Sequence, residues 1–159
     1  MSDVGETYLS WLNNAEVNKY LEVRSAGVKD TQELAKYIES VNASDESLML
    51  GIFLKEDELH IGNIKLGPIV TAHKRSEIGF LIGDKSCWGK GYATEAIKAI
   101  SRYGIEELGL DKITGGCYEN NLGSVKALLK AGFKHEATIP SHVVFEGRRI
   151  ASLLYGLDR

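Results

Sequence analysis

Proline and cysteine are both scarce, two of each in 159 residues. Cys87 and Cys117 are too few for a disulfide framework, and with four scattered histidines they show no zinc-ligand spacing, so no metal is expected. Free thiols point to the reducing cytoplasm. No window reaches the roughly 20 apolar residues that a bilayer span needs. The first residues, Met1-Ser2-Asp3-Val4-Gly5-Glu6, are acidic and lack the apolar stretch of a signal peptide. Charge of one sign is also missing. Nineteen basic residues stand against twenty-two acidic ones, a net charge of -3, which excludes a nucleic-acid binder relying on overall charge. There is no low-complexity tract, long repeat or Pro/Ser-rich linker, so one domain over residues 1–159 is expected.

Glycine is plentiful, at 17 residues against a usual ~7 %, which suggests close backbone approaches at several points. Leu34, Tyr37, Ile38 and Val41 fall at helical spacing and predict an amphipathic helix capped by Asp30 or Thr31. Ahead of it, Tyr8, Leu9 and Leu12, then Val17, Tyr20 and Leu21, predict one or two shorter helical pieces. Residues 47–54 and 59–66 change to strand character and flank a turn at Glu56-Asp57, and a third strand is expected over residues 77–82. A Gly-rich loop then leads into a helix carrying Ala93, Ile97, Ile100 and Gly104 on one face. A strand over 112–118 precedes a helix over 121–130, with Leu122, Val125, Leu128 and Leu129 as its stripe and Gly132 at its end. Residues 143–145 and 150–157 close the chain as a hairpin through Glu146-Gly147-Arg148. The order predicts a mixed, mostly antiparallel α/β sheet with flanking helices, not the strict alternation of a doubly wound fold.

The segment Phe80 to Ala96 carries the strongest chemical signal: a strand, a loop with Gly89 and Gly91, then a helix. The first amides of a helix lack intrahelical partners and sit at the positive end of its dipole. Glycines keep side chains away, so a diphosphate can reach those donors. Neither better-known phosphate loop is present. Walker A needs a terminal Gly-Lys-Ser/Thr, and the dinucleotide fingerprint needs three spaced glycines and a later acidic residue.

The run Trp88-x-x-Gly91-x-Ala93 resembles motif A of the GNAT superfamily of acetyl-CoA-dependent N-acetyltransferases, with Trp where Gln or Arg is usual. Asn121-x-x-Ser124 followed by Lys130-Ala131-Gly132-Phe133 is similar to motif B of the same family. Tyr8 to Val17 resembles the branch of ribosomal-protein N-terminal acetyltransferases. The resemblance implies a sheet whose central strands splay to admit the pantetheine, and a strand ahead of the first helix that this chain is expected to lack. It implies acetyl-CoA as co-substrate, with Leu81 and Ile82 offering main-chain groups to the pantetheine. Gly89, Lys90, Gly91, Tyr92, Ala93 and Thr94 would hold the pyrophosphate through their amides. Asn121 and Ser124 would reach the pantetheine arm and sulfur, and Lys130 or Lys126 the 3′-phosphate.

Acetyl transfer needs a neutral amine, donors for the developing oxyanion, and a proton for the departing thiolate. Many relatives supply that proton from a Tyr seven residues after the motif-B Asn; here the position is Leu128. In the ribosomal branch the residue matching Ser124 is the proposed donor. Glu77 is the expected base, with Tyr118 and Glu119 as rivals. His60, His73, His135 and His142 are read as ordinary side chains, and a covalent role for either cysteine lacks a sequence partner. In the acceptor-lining region Glu22 suits a cationic acceptor, and Arg24 a phosphate or carboxylate. The expected acceptor is a small-molecule amine such as an amino sugar, with a polyamine, an antibiotic and a protein N-terminus as alternatives. A weak CoA-binding regulatory module is the reading from another class. No nucleic acid or membrane partner is expected, and a homodimer is left open.

Overall fold

The computed structural model describes residues 5–25 and 30–159. Met1–Val4, most of the stretch read above for a signal peptide, lie outside the described residues. Four helices, α1 (Glu6–Asn13), α2 (Thr31–Asn42), α3 (Tyr92–Glu106) and α4 (Leu122–Lys130), surround six strands. The strands are β1 (Leu48–Phe53), β2 (His60–Leu66), β3 (Arg75–Ile82), β4 (Lys112–Tyr118), β5 (Lys134–Phe145) and β6 (Arg148–Asp158), in the sheet order β1-β2-β3-β4-β6-β5. All neighbours are antiparallel except β3 and β4. The mixed α/β architecture is therefore the one expected. Among the described residues no strand precedes α1, and β1 is a sheet edge.

Period decides which face each residue takes. In β3, Ser76 and Ile78 are buried while Glu77 and Gly79 are exposed, as side chains alternate across a strand. Ile78 joins Ile64, Leu66, Ile97, Ile100, Ile113, Leu128, Phe133 and Tyr155 in the larger core, packed under α3 and α4. Gly104 lets α3 approach the sheet, since an added Cβ would meet Ile113, Leu110 and Leu66 at 3.1–3.3 Å. The opposite face holds a smaller core of Tyr8, Trp11, Leu12, Val17 and Leu34, from α1, α2 and the chain between them. Trp11 lies directly on Gly83, where any side chain would overlap the indole. The Asp30 carboxylate caps α2 by accepting the Glu33 amide at 2.8 Å.

Four expectations need correction. Val17, Tyr20 and Leu21 are not helical: a chain of turns leads to a 3-10 turn at Glu22–Ser25, because Asn14 takes the Glu16 and Val17 amides with its side chain and ends α1. Tyr37 leaves the stripe of α2 and is half exposed. In α4 the buried residues are Ala127 and Leu128, while Leu122 and Leu129 face solvent. Finally β5 starts at Lys134, well before the expected 143, and β6 runs over Arg148–Asp158. Its pattern is mostly exposed, as suits an edge strand, and Pro140 sits in the irregularity between Ile139 and Val143, which an edge tolerates. The hairpin turn at Glu146 and Gly147 has positive φ at both residues, the tight twist-matched form.

Candidate active site

The parallel pair β3–β4 is joined only part of the way. Register runs from Arg75 opposite Lys112 to Ile78 opposite Gly115 and stops there. Beyond it, Gly79–Ile82 on one arm and Gly116–Tyr118 on the other continue without pairing each other. The result is a fork opening toward the carboxyl ends of both strands, the end where open α/β sheets receive ligands. Leu128 of α4 plugs its base: a Cβ on Gly115 would lie 3.0 Å from Leu128 and 3.3 Å from Ile78. The position where many relatives place a Tyr is thus filled by a fully buried hydrocarbon.

On the α3–α4 side, β4 leads through a short turn into α4, and β3 leads through a 3-10 turn at Lys85–Cys87 and a glycine loop into α3. After β3 the loop turns through Gly89 at φ +75° and Gly91 at φ +94°. Gly91 is the N-cap of α3 and supplies no side-chain cap, so the first-turn amides of Tyr92, Ala93 and Thr94 are left to an outside acceptor. A Cβ at Gly89 or Gly91 would meet nothing within 4 Å, so the surface at these two glycines is open. Lys90 is exposed on this loop. Trp88 bonds the loop to the strand, its indole N–H donating to the Ile82 carbonyl at 2.7 Å. After β4, the Asn121 side chain caps α4 by accepting the Ser124 amide at 3.2 Å. Ser124 and Leu128 are four apart and share a helix face. Half-buried Ser124 therefore stands one turn above the plug, toward the opening. Lys126 and Lys130 are both exposed, and Lys130 ends the helix about 9 Å further along its axis than Ser124.

Strand parity sorts the β3 main chain. The Gly67 amide donates to Glu77 O and the Gly83 amide donates to Ile61 O, so residues 77, 79, 81 and 83 turn their peptides to β2 and its flanking turns. Ile82 and Phe80 turn theirs toward the fork. Of the two strand residues named above, Leu81 faces β2, where Phe80 is the better-aimed neighbour of Ile82.

The opposite mouth is built differently. Gly79 and Gly116 occupy the first open position of each arm on this face, and a Cβ on either would meet little or nothing within 4 Å. Two residues before Gly79 on the same face stands Glu77, 3.9 Å from Arg75 and partly exposed. The chain after α1 straps across the opening. Lys85, beyond β3, donates to Glu16 at 2.6 Å, and Tyr20 donates to the Asn120 carbonyl beyond β4 at 3.2 Å. Tyr118 lies beneath, its hydroxyl donating to Glu22 at 2.5 Å and accepting from Arg24 at 2.8 Å. The Arg24 guanidinium also donates to Leu21 O and Val144 O, and it lies over the Tyr118 ring. Arg24 is thus turned into the protein, whereas the Glu22 side chain is 86 % exposed. Phe145 stacks on Tyr20 and meets Tyr118 edge-on, tying in the β5–β6 hairpin. Glu119, one rival base, is engaged by the Ala151 amide at 2.9 Å. Burial, reinforced by the hydrogen bond to Glu22 and opposed by Arg24, pushes the Tyr118 phenol up, so it keeps its proton at neutral pH.

Burial likewise raises the Cys117 thiol to about 11, which leaves no thiolate for a covalent route. Among the described residues no group of three His, Cys, Asp or Glu is placed to hold a metal ion, and no helix is long and apolar enough to cross a membrane. An apolar groove of about 490 Å³ lies between β1 and α3, against Leu50, Phe53 and Tyr103, away from the fork.

Gly79 and Gly116 were not picked out from sequence for this mouth, and Tyr118, Glu22 and Arg24 were each named without the contacts that join them. Glycine inside a strand is the one local signal that a backbone is being approached closely. Nothing local connects Glu22 or Arg24 to Tyr118.

A forked parallel pair with an uncapped helix N-terminus at its opening is the frame of a CoA-dependent acyltransferase. The chain belongs to the GNAT acetyltransferases: the family described as acetyltransferase (GNAT) domain matches residues 1–134. It is 27 % identical over 146 residues to the uncharacterized N-acetyltransferase p20 of Bacillus licheniformis, spanning 91 % of this chain and 82 % of that one. It is 38 % identical over 104 residues to the probable N-acetyltransferase YjcK of Bacillus subtilis, spanning 65 % and 57 % respectively. Among solved structures, spermidine N-acetyltransferase from Vibrio cholerae, in complex with CoA and spermine, superposes with a TM-score of 0.85. That match has 19 % identity and covers 99 % of this chain and 90 % of that one.

Proposed function

We propose that this acetyltransferase moves the acetyl group of acetyl-CoA directly to a primary amine, with both substrates bound, and that the amine is a small molecule. The carrying observation is the fork itself, with the open amides of Tyr92, Ala93 and Thr94 on one side of it and a glycine-floored mouth on the other. The fit to CoA is physical. The positive φ at Gly91 and the empty space around Gly89 and Gly91 leave a cradle that any Cβ would enter, and helix amides with a dipole behind them suit a diphosphate. Bound CoA supplies an activated thioester. The chain holds its phosphates at residues 89–94 and takes its pantetheine against the Phe80 and Ile82 peptides, in the manner of an added strand.

The amine enters over Gly79 and Gly116. Glu77, on the same face and two residues from Gly79, takes its proton through solvent. As the C–N bond forms and the C–S bond breaks, Ser124, above the Leu128 plug and on the CoA side, relays the second amine proton from the tetrahedral adduct to the leaving sulfur and ends as a neutral hydroxyl. A small acceptor is favoured because the strap of residues 14–24 crosses the mouth and is pinned on both arms. The Vibrio cholerae neighbour, a spermidine N-acetyltransferase in complex with spermine, takes amines of that kind. The test is thiol release from acetyl-CoA with a panel of alkyl amines, diamines, amino sugars and free N-terminal peptides. Amine-dependent release is expected; binding of CoA with no release for any amine would leave only a CoA-binding module.

A further inference from the structure

Glu22 and Arg24, neighbours at the acceptor mouth, are used in opposite ways, while Lys19 beside them lies over the Tyr20 and Phe145 rings and pairs with Glu146. Arg24 donates to Leu21 O, the Tyr118 hydroxyl and Val144 O, and is only 22 % exposed. These acceptors are uncharged, so the guanidinium serves as a clip between the strap, β4 and β5. Glu22 is 86 % exposed, and its tie to the protein is the short bond from the Tyr118 hydroxyl, with Arg24 at 4.0 Å. A single phenol therefore orients the carboxylate: it accepts a hydrogen bond from the fixed guanidinium and donates its own to Glu22. The ring cannot drift, being buried against Tyr20, Phe145 and Arg24.

We infer that Tyr118 is a positioning residue that holds Glu22 at the mouth to receive a second positive charge on the acceptor, so that the preferred substrate is a diamine or polyamine. This rests on the acetyl-transfer reading above and narrows its acceptor. An exposed carboxylate held in place offers a cation a charge-assisted hydrogen bond with little ordering cost. An anionic acceptor would meet Glu22 before it met Arg24. The register also sets a scale. Tyr118 lies two strand residues, about 7 Å, beyond Gly116 at the fork's floor, so the second charge belongs several carbons from the reacting nitrogen.

The experiment compares straight-chain diamines of four to eight carbons with the monoamines of equal length, by thiol release at saturating acetyl-CoA. For the wild type, kcat/KM for the best diamine is expected at least tenfold above its monoamine. Glu22→Gln and Tyr118→Phe should each bring that ratio to within threefold of unity through the diamine KM, with the acetyl-CoA KM unmoved. A simple loss of folding would lower both substrates together, and Glu22→Gln, on an exposed side chain, keeps the test open should Tyr118→Phe melt early. Equal use of diamine and monoamine by the wild type, or an unchanged ratio in Glu22→Gln, overturns the inference. Acetylation of amino sugars or peptides but not of diamines overturns it while sparing acetyl transfer. Failure of every amine overturns both.

Discussion

The two mouths of the fork are made of different material. On the α3–α4 side the groups proposed to face CoA are peptides: the first-turn amides of Tyr92 to Thr94, beside two glycines with open surroundings, and the inner edge of β3, where the Trp88 indole already holds the Ile82 carbonyl. On the other side they are side chains, Glu22, Tyr118, Glu77 and the stacked Phe145 and Tyr20, brought from distant segments, Glu22 and Tyr118 lying 96 positions apart in sequence. A peptide cradle recognises what every member of a family must bind, and it tolerates drift in side chains. A side-chain mouth recognises one acceptor and is free to differ. On the proposed reading, the co-substrate contacts lie in one contiguous stretch and the acceptor contacts in scattered pieces.

That contrast breaks most visibly at Gly91. Its φ of +94° and open surroundings mean that Gly91→Val adds two methyls where the diphosphate would lie, on a backbone that strains any L side chain. CoA affinity measured by calorimetry should fall at least about a hundredfold, the size of losing two or three charge-assisted bonds. Stability should fall by about 1–2 kcal/mol from the strain. An unchanged CoA affinity would mean the phosphates are held elsewhere and the peptide mouth is misassigned.

The same contrast explains what could be read from the chain alone. The strand, glycine loop and helix of residues 80–96 are contiguous, and their spacing is the geometry, so this element order is legible in the sequence. The chain order of helices and strands followed from period and turns, and so did the cap at Asp30, whereas the sheet order and the cap at Asn121 did not. The strap was not legible. Val17, Tyr20 and Leu21 have helical spacing, but Asn14 turns its side chain to the next amides and ends the helix, a tertiary and capping outcome that periodicity does not contain. Glu22 and Arg24 could be marked as charged and near the mouth, yet their division into one exposed carboxylate and one internal clip depends on Tyr118 and Val144. The early start of β5 was hidden for a related reason. An edge strand with both faces largely wet has no apolar alternation to betray it.

A smaller effect is expected at Ser124, where the peptide side contributes a side chain to the chemistry. If its hydroxyl protonates the thiolate, Ser124→Ala removes an interaction made in the transition state, and kcat should drop about ten- to a hundredfold. The acetyl-CoA KM should stay within about twofold, since the cradle is untouched. Asn121 would still cap α4 through the residue-124 amide, so the helix should remain in place. A raised KM at unchanged kcat would instead make Ser124 another anchor for the co-substrate, and the two mouths would then differ in binding alone.

The mildest change sharpens the comparison from within the peptide mouth. Trp88 stands where the family has Gln or Arg, and its indole N–H donates to the Ile82 carbonyl, joining the glycine loop to the arm of the fork. Trp88→Phe keeps an aromatic ring and removes that donor. The indole is partly exposed, so the carbonyl can turn to water, and the loss should be near 1 kcal/mol, a single neutral hydrogen bond. The acetyl-CoA KM should therefore rise about three- to sixfold, because the loop's register against β3 loosens where the pantetheine and diphosphate must be gripped together. The acceptor KM should not change, since Tyr118 and the strap touch neither residue. Steady-state titration of each substrate against the other separates the two constants. If the acceptor KM rises as well, the arms of the fork move as one body, and the division between a shared cradle and a private mouth has to be given up.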